Sequence, residues 1–254
     1  VSSGQSLWAL RSQWQYSAGR WYRWQGSFML KTTMTMQGNK EPISLRISIT
    51  DRCQHRCIYC TSRRTVGNRP DREILRLDET MTFVRLVSRR FGLSKVHLTG
   101  GEPLLRPEVV ELVGLLSDEG CSDIALTTNG CALEELAPPL KKAGLHRVNV
   151  SIDSLDENTY RRLAGSNASI RKSIRGLEAA IRVGLSPVKI NTVLLRGHNL
   201  EEAPRLVGWA RERDLTIRFI ELMPLGCIEH QFSRLYVSTD EILELLQRHY
   251  RLTP

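Results

Sequence analysis

Three cysteines fall within eight residues, Cys53, Cys57 and Cys60, in the run TDRCQHRCIYC at 50–60. The spacing is Cys-x3-Cys-x2-Cys, and the next cysteine is Cys121. Thiolates are the usual ligands of iron–sulfur clusters, and a cubane 4Fe–4S cluster has four irons to hold. Three thiolates leave one iron without a protein ligand, the kind of open position that distinguishes a reactive metal site from a closed structural one. Other readings fit less well. A disulfide framework is disfavoured, because three close cysteines pair badly and no secretory signal is evident. A zinc knuckle wants a fourth ligand nearby, and His55 lies inside the run, where a tight loop can hardly fold it onto the same ion. Three unrelated buried cysteines sit badly with Arg52, His55 and Arg56 around them, which make the stretch too polar for core. The basic flanks lower thiolate pKa. Tyr59 stands just before the last cysteine, where it can shield one side of a cluster.

A second motif, LTGGEP at 98–103, follows a short apolar run. Glycine admits close backbone approach to a ligand, and Glu102 adds an acceptor. Paired with the cysteine run, this motif resembles the radical S-adenosylmethionine (radical SAM) superfamily. The resemblance implies that the open iron chelates the amino and carboxyl groups of the methionine moiety, while the glycine-rich stretch holds the amino group. LRISITDRC at 45–53, LTTNG at 126–130, VNVSIDSLD at 148–156, VKINTVL at 188–194 and IRFIELM at 217–223 sharpen the likeness. Together they resemble the GTP 3′,8-cyclase (MoaA) family of molybdenum-cofactor biosynthesis, over about residues 43–250.

That resemblance implies a 4Fe–4S cluster and S-adenosyl-L-methionine as cofactors and GTP as substrate. One electron splits S-adenosylmethionine into methionine and a 5′-deoxyadenosyl radical. The radical takes hydrogen from ribose C3′, and the carbon radical attacks guanine C8. Cys53, Cys57 and Cys60 match the cluster ligands. Tyr59, Gly101, Glu102, Ser151 and Met223 match the cofactor-contacting stretches, and Arg46, Thr127 and Lys189 match positions that contact GTP. His97 stands where the family usually has a GTP-contacting arginine, and a neutral imidazole cannot replace a permanent fork of donors. Read singly, Lys189 also fits a solvent-facing strand, Met223 a core position and Arg46 a surface ion pair.

The family has a further region with three more cysteines and a second cluster that contacts the guanine. This sequence stops at Pro254, about where that region would begin. Cys121 and Cys131 read as structural, and Cys227 follows the turn after Met223; none follows the family's pattern. The expectation is a chain that cleaves S-adenosylmethionine but turns over GTP poorly. The resemblance also implies a flavodoxin- or ferredoxin-like electron donor, the next enzyme of molybdopterin synthesis as recipient, and a homodimer as a candidate assembly. Two other functions stay open: a radical SAM enzyme acting on a peptide or another small molecule, and a non-catalytic, cluster-bearing paralogue.

The 254 residues carry a formal net charge of +9. Arg11, Arg20, Arg23, Lys31 and Lys40 all precede the first acid, Glu41. The excess suits an anionic small molecule, and no aromatic-interleaved basic stripe points to nucleic acid. No apolar run reaches the roughly eighteen residues of a membrane span, and no hydrophobic leader with a cleavage site is evident. Reduced thiols then point to the cytoplasm. Residues 1–40 hold four of the five tryptophans and read as a basic extension, disordered or preceding a later true start.

The elements must position these residues. Hydrophobic periodicity predicts strands at 43–50, 96–98, 124–127, 146–151, 188–194 and 217–221. Helices are predicted at 78–91, 106–119, 133–143 (broken at Pro138-Pro139), 157–163, 169–183, 200–213 and 239–250. Strands alternating with helices imply a parallel sheet with right-handed crossovers. The fold class is α/β, and the resemblance implies a partial (β/α)6 TIM barrel of the radical SAM type. The expected division is an extension at 1–40, a radical SAM core at 41–235, and at 236–254 the start of a C-terminal region. In such barrels reactive groups gather at the C-terminal strand ends, where every motif above falls.

Overall fold

The structure is a computed structural model that describes residues 43–60, 70–165, 167–224 and 226–252. The tryptophan-rich segment at 1–40 lies outside the described residues.

Six strands form one parallel sheet in sequence order: β1 (Ile43–Ser48), β2 (Leu93–Thr99), β3 (Asp123–Thr128), β4 (Arg147–Ser151), β5 (Val188–Val193) and β6 (Thr216–Ile220). Among the described residues β1 and β6 are the two edges, so the barrel is partial and open between them. The helices are α1 (Leu77–Phe91), α2 (Val109–Asp118), α3 (Leu133–Lys142), α4 (Glu157–Ala164), α5 (Ile170–Arg182), α6 (Ala203–Arg211), α7 (Phe232–Leu235) and α8 (Thr239–Gln247).

Strand side chains alternate between two faces, and the two faces differ in chemistry. Leu45, Ile47, Val96, Leu98, Ile124, Leu126, Val148, Val150, Val188 and Ile190 are buried in the main core. They meet Met81 and Val84 of α1, Leu112 and Leu116 of α2, Ala137 and Leu140 of α3, Leu177 of α5 and Leu206 of α6 in one cluster. The opposite face carries Arg46, His97, Thr127, Arg147, Asn149, Ser151, Lys189, Asn191 and Arg218. Cross-strand register joins Arg46 to His97, Thr127 to Asn149 to Lys189, and Ser151 to Asn191 to Arg218. The apolar face makes the core, and the polar face lines the barrel interior.

Three local expectations change. Helix α3 runs unbroken through Pro138 and Pro139. Leu133, Ala137 and Leu140 on its inner face are fully buried, and that packing offsets the hydrogen bonds the two prolines remove. The helix expected at 106–119 starts later, because Pro103–Leu105 forms its own 3-10 turn. The helix predicted at 200–213 likewise opens with a 3-10 turn, Leu200–Glu202. Helix α8 is capped by Ser238: its hydroxyl accepts from Glu241 N, and Glu241 accepts from Ser238 N, each at 3.2 Å. Val237, Ile242 and Leu246 join the main core.

Candidate active site

The cysteine run leaves β1 and turns back over the C-terminal end of the sheet. Arg56 N–H donates to Ala164 O (2.8 Å) and Ile58 N–H to Leu163 O (2.9 Å), which seats the loop on the end of α4. Arg106, on the 3-10 turn side, donates to Ile49 O and Leu75 O (3.0 Å each) and clamps the loop's first residues. His55 is buried beneath the loop, contrary to the expectation that its polarity kept it out of the interior. Its Nε2 lies 3.4 Å from Cys131 Sγ, and its ring meets Tyr160 edge-on. Cys121 is buried in the core.

The two glycines of the second motif serve this loop directly. A Cβ on Gly100 would sit 2.3 Å from Thr50 O, and one on Gly101 would sit 2.3 Å from Arg52 O. Gly101 N–H donates to Thr50 O (2.7 Å) and Glu102 N–H to Arg52 O (2.6 Å). Close approach is required by the neighbouring backbone, so the two motifs lock together although some forty residues separate them. Glu102 is 1% exposed. Its carboxylate accepts from Leu104 N (3.1 Å), the Thr128 hydroxyl (2.6 Å) and Asn129 N (2.7 Å). It therefore holds the end of β3 against the glycines. Burial raises its pKa, and those three bonds work against the rise.

Tyr59 is anchored in the same way. Its hydroxyl donates to Asp153 Oδ2, and Asp153 Oδ1 accepts from Val193 N (2.9 Å). The phenol is thus turned toward the end of β4 and fixes the loop, and it also stands beside Cys57, within hydrogen-bonding reach of that thiol. Ser151 ends β4, and Met223, after β6, is 45% exposed, which removes the core reading for it.

The three cysteines form no disulfide and are partly buried, and Cys60 N–H bonds back to Cys57 O (3.0 Å). Burial pushes the Cys53 thiol up to about 11 and also raises that of Cys57, with charge on neighbouring cysteines adding to both. Among the described residues no three His, Cys, Asp or Glu are set around a single metal ion. A cubane asks for something else, because its thiolates bind separate irons. Two thiols, Cys53 and Cys57, whose ionisation burial and neighbouring charge oppose, fit a polycationic iron centre, whose charge favours thiolate. The chemistry of this donor set fits the cluster.

Below the loop, the interior is cationic. Among the described residues Arg46, Arg147, Lys189 and Arg218 lie on this face with the carboxylate of Asp123, which Arg147 grips at 2.6 and 2.7 Å. Burial lowers the pKa of Lys189, and the charges of Arg218 and Arg147 lower it further. Arg46 reaches solvent through the open barrel yet is surrounded by protein, and this desolvation lowers its pKa. Lys189 is thus an interior residue, not one on the outer face. His97 is brought to about 4, first by burial and then by Arg46, Arg147 and Arg218. It is neutral at pH 7. Sequence reasoning assigned Arg46, His97, Thr127 and Lys189 to this region but missed Arg147, Asn149 and Arg218. The signal was strand alternation, which puts 147 and 149, and 189 and 218, on one face.

The sequence profile of the Radical SAM superfamily matches residues 47–210. GTP 3′,8-cyclase of Marinobacter nauticus is 37% identical over 89% of this chain and 68% of its own length. GTP 3′,8-cyclase of Moorella thermoacetica is 45% identical over 83% of this chain and 64% of its own. The chain thus spans about two thirds of the length of the curated relatives it matches. Among solved structures, Streptococcus suis SuiB bound to precursor peptide SuiA superposes with a TM-score of 0.65 at 18% identity, covering 83% of this chain and 46% of that one. That likeness is one of fold, the partial barrel of parallel strands. Cysteine loop, glycine lock and barrel agree with these matches: the chain belongs to the radical SAM superfamily and, within it, to the GTP 3′,8-cyclase family.

Proposed function

We propose that this chain forms the barrel of a GTP 3′,8-cyclase and binds GTP with its triphosphate toward the barrel interior. One observation carries the reading: among the described residues Arg46, Arg147, Lys189 and Arg218 share a face with one opposing carboxylate, that of Asp123. Uncompensated cations in a partly desolvated cleft attract a polyanion strongly, and arginine forks match phosphate oxygens.

The roles follow from position. Cys53, Cys57 and Cys60 hold the 4Fe–4S cluster. When bound, the cluster supplies the electron that breaks a carbon–sulfur bond of S-adenosylmethionine. Gly101 and Glu102 keep the cysteine loop seated on the end of β3. Ser151 and Met223, at the ends of β4 and β6, border the cofactor; Tyr59 sets the height of the loop above it. Arg46 and Lys189 bind phosphate oxygens, and Thr127 and His97 offer hydrogen bonds between phosphate and cofactor levels. The thiols need a reducing compartment, the cytoplasm. Among the described residues no helix is long and apolar enough to cross a membrane. An acidic flavodoxin or ferredoxin as donor, a following enzyme that takes the cyclised nucleotide, and a homodimer complete the reading.

The test is anaerobic. The cluster is reconstituted, and S-adenosylmethionine, a reductant and GTP deuterated at ribose C3′ are added. Deuterium should appear in 5′-deoxyadenosine. Formation of unlabelled 5′-deoxyadenosine at a rate indifferent to GTP would overturn the substrate assignment.

A further inference from the structure

Three strands are bridged inside the barrel by a trio of side chains. Asn149 is 3% exposed. Its Nδ2 lies 3.3 Å from Thr127 Oγ1 and 3.4 Å from His97 Nε2, while Oγ1 and Nε2 are 2.7 Å apart. An amide nitrogen only donates. All three contacts are hydrogen bonds only if the ring nitrogen accepts, with the Thr127 hydroxyl as its second donor. The ring proton then resides on Nδ1. Nδ1 makes no hydrogen bond to the described residues, so its N–H remains for a ligand. The charged groups that act on the ring are Arg46 on β1, Asp123 on β3, Arg147 on β4 and Arg218 on β6, and Lys189 on β5 interacts with the last three of these. A second ring proton would add one more positive charge to this group, and the low pKa of His97 agrees with its absence.

We propose that Asn149 is a positioning residue that locks His97 as the neutral Nδ1–H tautomer, so that His97 meets the nucleotide as an uncharged hydrogen-bond donor. The ligand half of this inference rests on the GTP reading above; the tautomer half does not. The trio also accounts for a histidine among arginines. An uncharged donor adds directionality to the site without adding to the repulsion between its cations.

The full chain labelled with 15N-histidine tests the tautomer, because the two ring nitrogens have distinct signatures in 15N–1H correlation spectra. His97 is identified by loss of its signals in His97→Asn. The expected pattern in the wild type is Nδ1–H with a bare Nε2, without titration between about pH 6 and pH 8. In Asn149→Asp the facing group becomes an acceptor, so Nε2 should carry a proton and the ring should titrate in that range. In Asn149→Leu the lock is lost, and GTP affinity should fall about tenfold, the worth of one oriented hydrogen bond. An Nε2–H ring or an imidazolium in the wild type overturns the proposal. So does unchanged GTP affinity in Asn149→Leu. If the wild type shows the Nδ1–H ring but binds no GTP, the tautomer lock is supported and the nucleotide reading fails.

Discussion

The phenol of Tyr59 donates a 2.5 Å hydrogen bond to Asp153, although ninety-four residues separate them. Tyr59 precedes Cys60, and Asp153 lies two residues past the end of β4. The bond ties the cysteine loop to the C-terminal end of β4. Asp153 is 3% exposed, and burial raises its pKa to about 6 against the opposing bonds from Tyr59 and Val193 N.

The sign of the resulting pH dependence is fixed. A carboxyl group whose folded pKa is raised favours the protonated fold. Its contribution is fully present below its ordinary pKa of 3.8 and is lost as pH rises toward about 6. Denaturant melts of wild type and Asp153→Asn should therefore differ by an amount that changes between about pH 4 and pH 6 and is constant above. Tyr59→Phe should cost roughly 2 kcal/mol by orphaning a buried acceptor, and it should extend the sensitive window upward. A pH-independent difference between wild type and Asp153→Asn would refute the assignment.

Gly101→Ala should displace the cysteine loop, because the new methyl would lie 2.3 Å from Arg52 O and 2.7 Å from Asp51 O. Both neighbours are backbone and cannot swing aside. The expected result is a chain that folds less stably and retains little iron after reconstitution. Gly114→Ala is the control. Nothing lies within 4 Å of its added Cβ, and it sits inside α2. Helix propensity predicts a gain of up to about 1 kcal/mol there. Iron content and melting temperature of the two variants separate a steric lock from a general intolerance of alanine.

These contacts show what could be read from the chain alone. Strand alternation and helical spacing gave the order of the elements, since burial on one face leaves a periodic mark at 45, 47, 96, 98, 124 and 126. The cysteine triplet stood out because the spacing that marks it as a candidate ligand set is local. The glycines were legible as special, but the reason was not: they make room for the backbone of Thr50 and Arg52, a neighbour that only the fold supplies. Glu102 looked like a ligand acceptor, and its oxygens turn out to be taken by Leu104, Thr128 and Asn129. The unbroken α3 was hidden for a similar reason. Local propensity sees Pro138 and Pro139, whereas the burial of Leu133, Ala137 and Leu140 is a tertiary effect.

Glu102→Gln tests that correction. The substitution keeps size and removes charge, but it presents an NH2 group where backbone N–H groups of Leu104 and Asn129 now donate to opposite oxygens. One of those donors must lose its acceptor, at a cost of about 1–3 kcal/mol. Thermal melts should show the loss in the chain without cofactors. Equal stability of Glu102→Gln and wild type would mean that the carboxylate is held for a ligand and not for the fold.

Asp123→Asn should move stability and nucleotide affinity in opposite directions. Arg147 grips Asp123 through two bonds, at 2.6 and 2.7 Å, and both side chains are about a quarter exposed. The Arg147 hydrogen bonds hold the Asp123 carboxyl below its ordinary pKa. A depressed carboxylate pKa contributes stability that is present above the unfolded value and lost as pH falls through the folded one. The amide removes that contribution, so the variant should be less stable by about 1–2 kcal/mol at neutral pH and should converge with wild type in acid. The same change deletes an anion that shares this face with Arg46, Lys189 and Arg218 and frees the Arg147 fork. GTP should then bind several-fold more tightly, with a steeper decline as salt is raised. Calorimetric titration and melts on one preparation measure both quantities. Affinity that falls together with stability would mean that Arg147 and its neighbours do not form a common anion site.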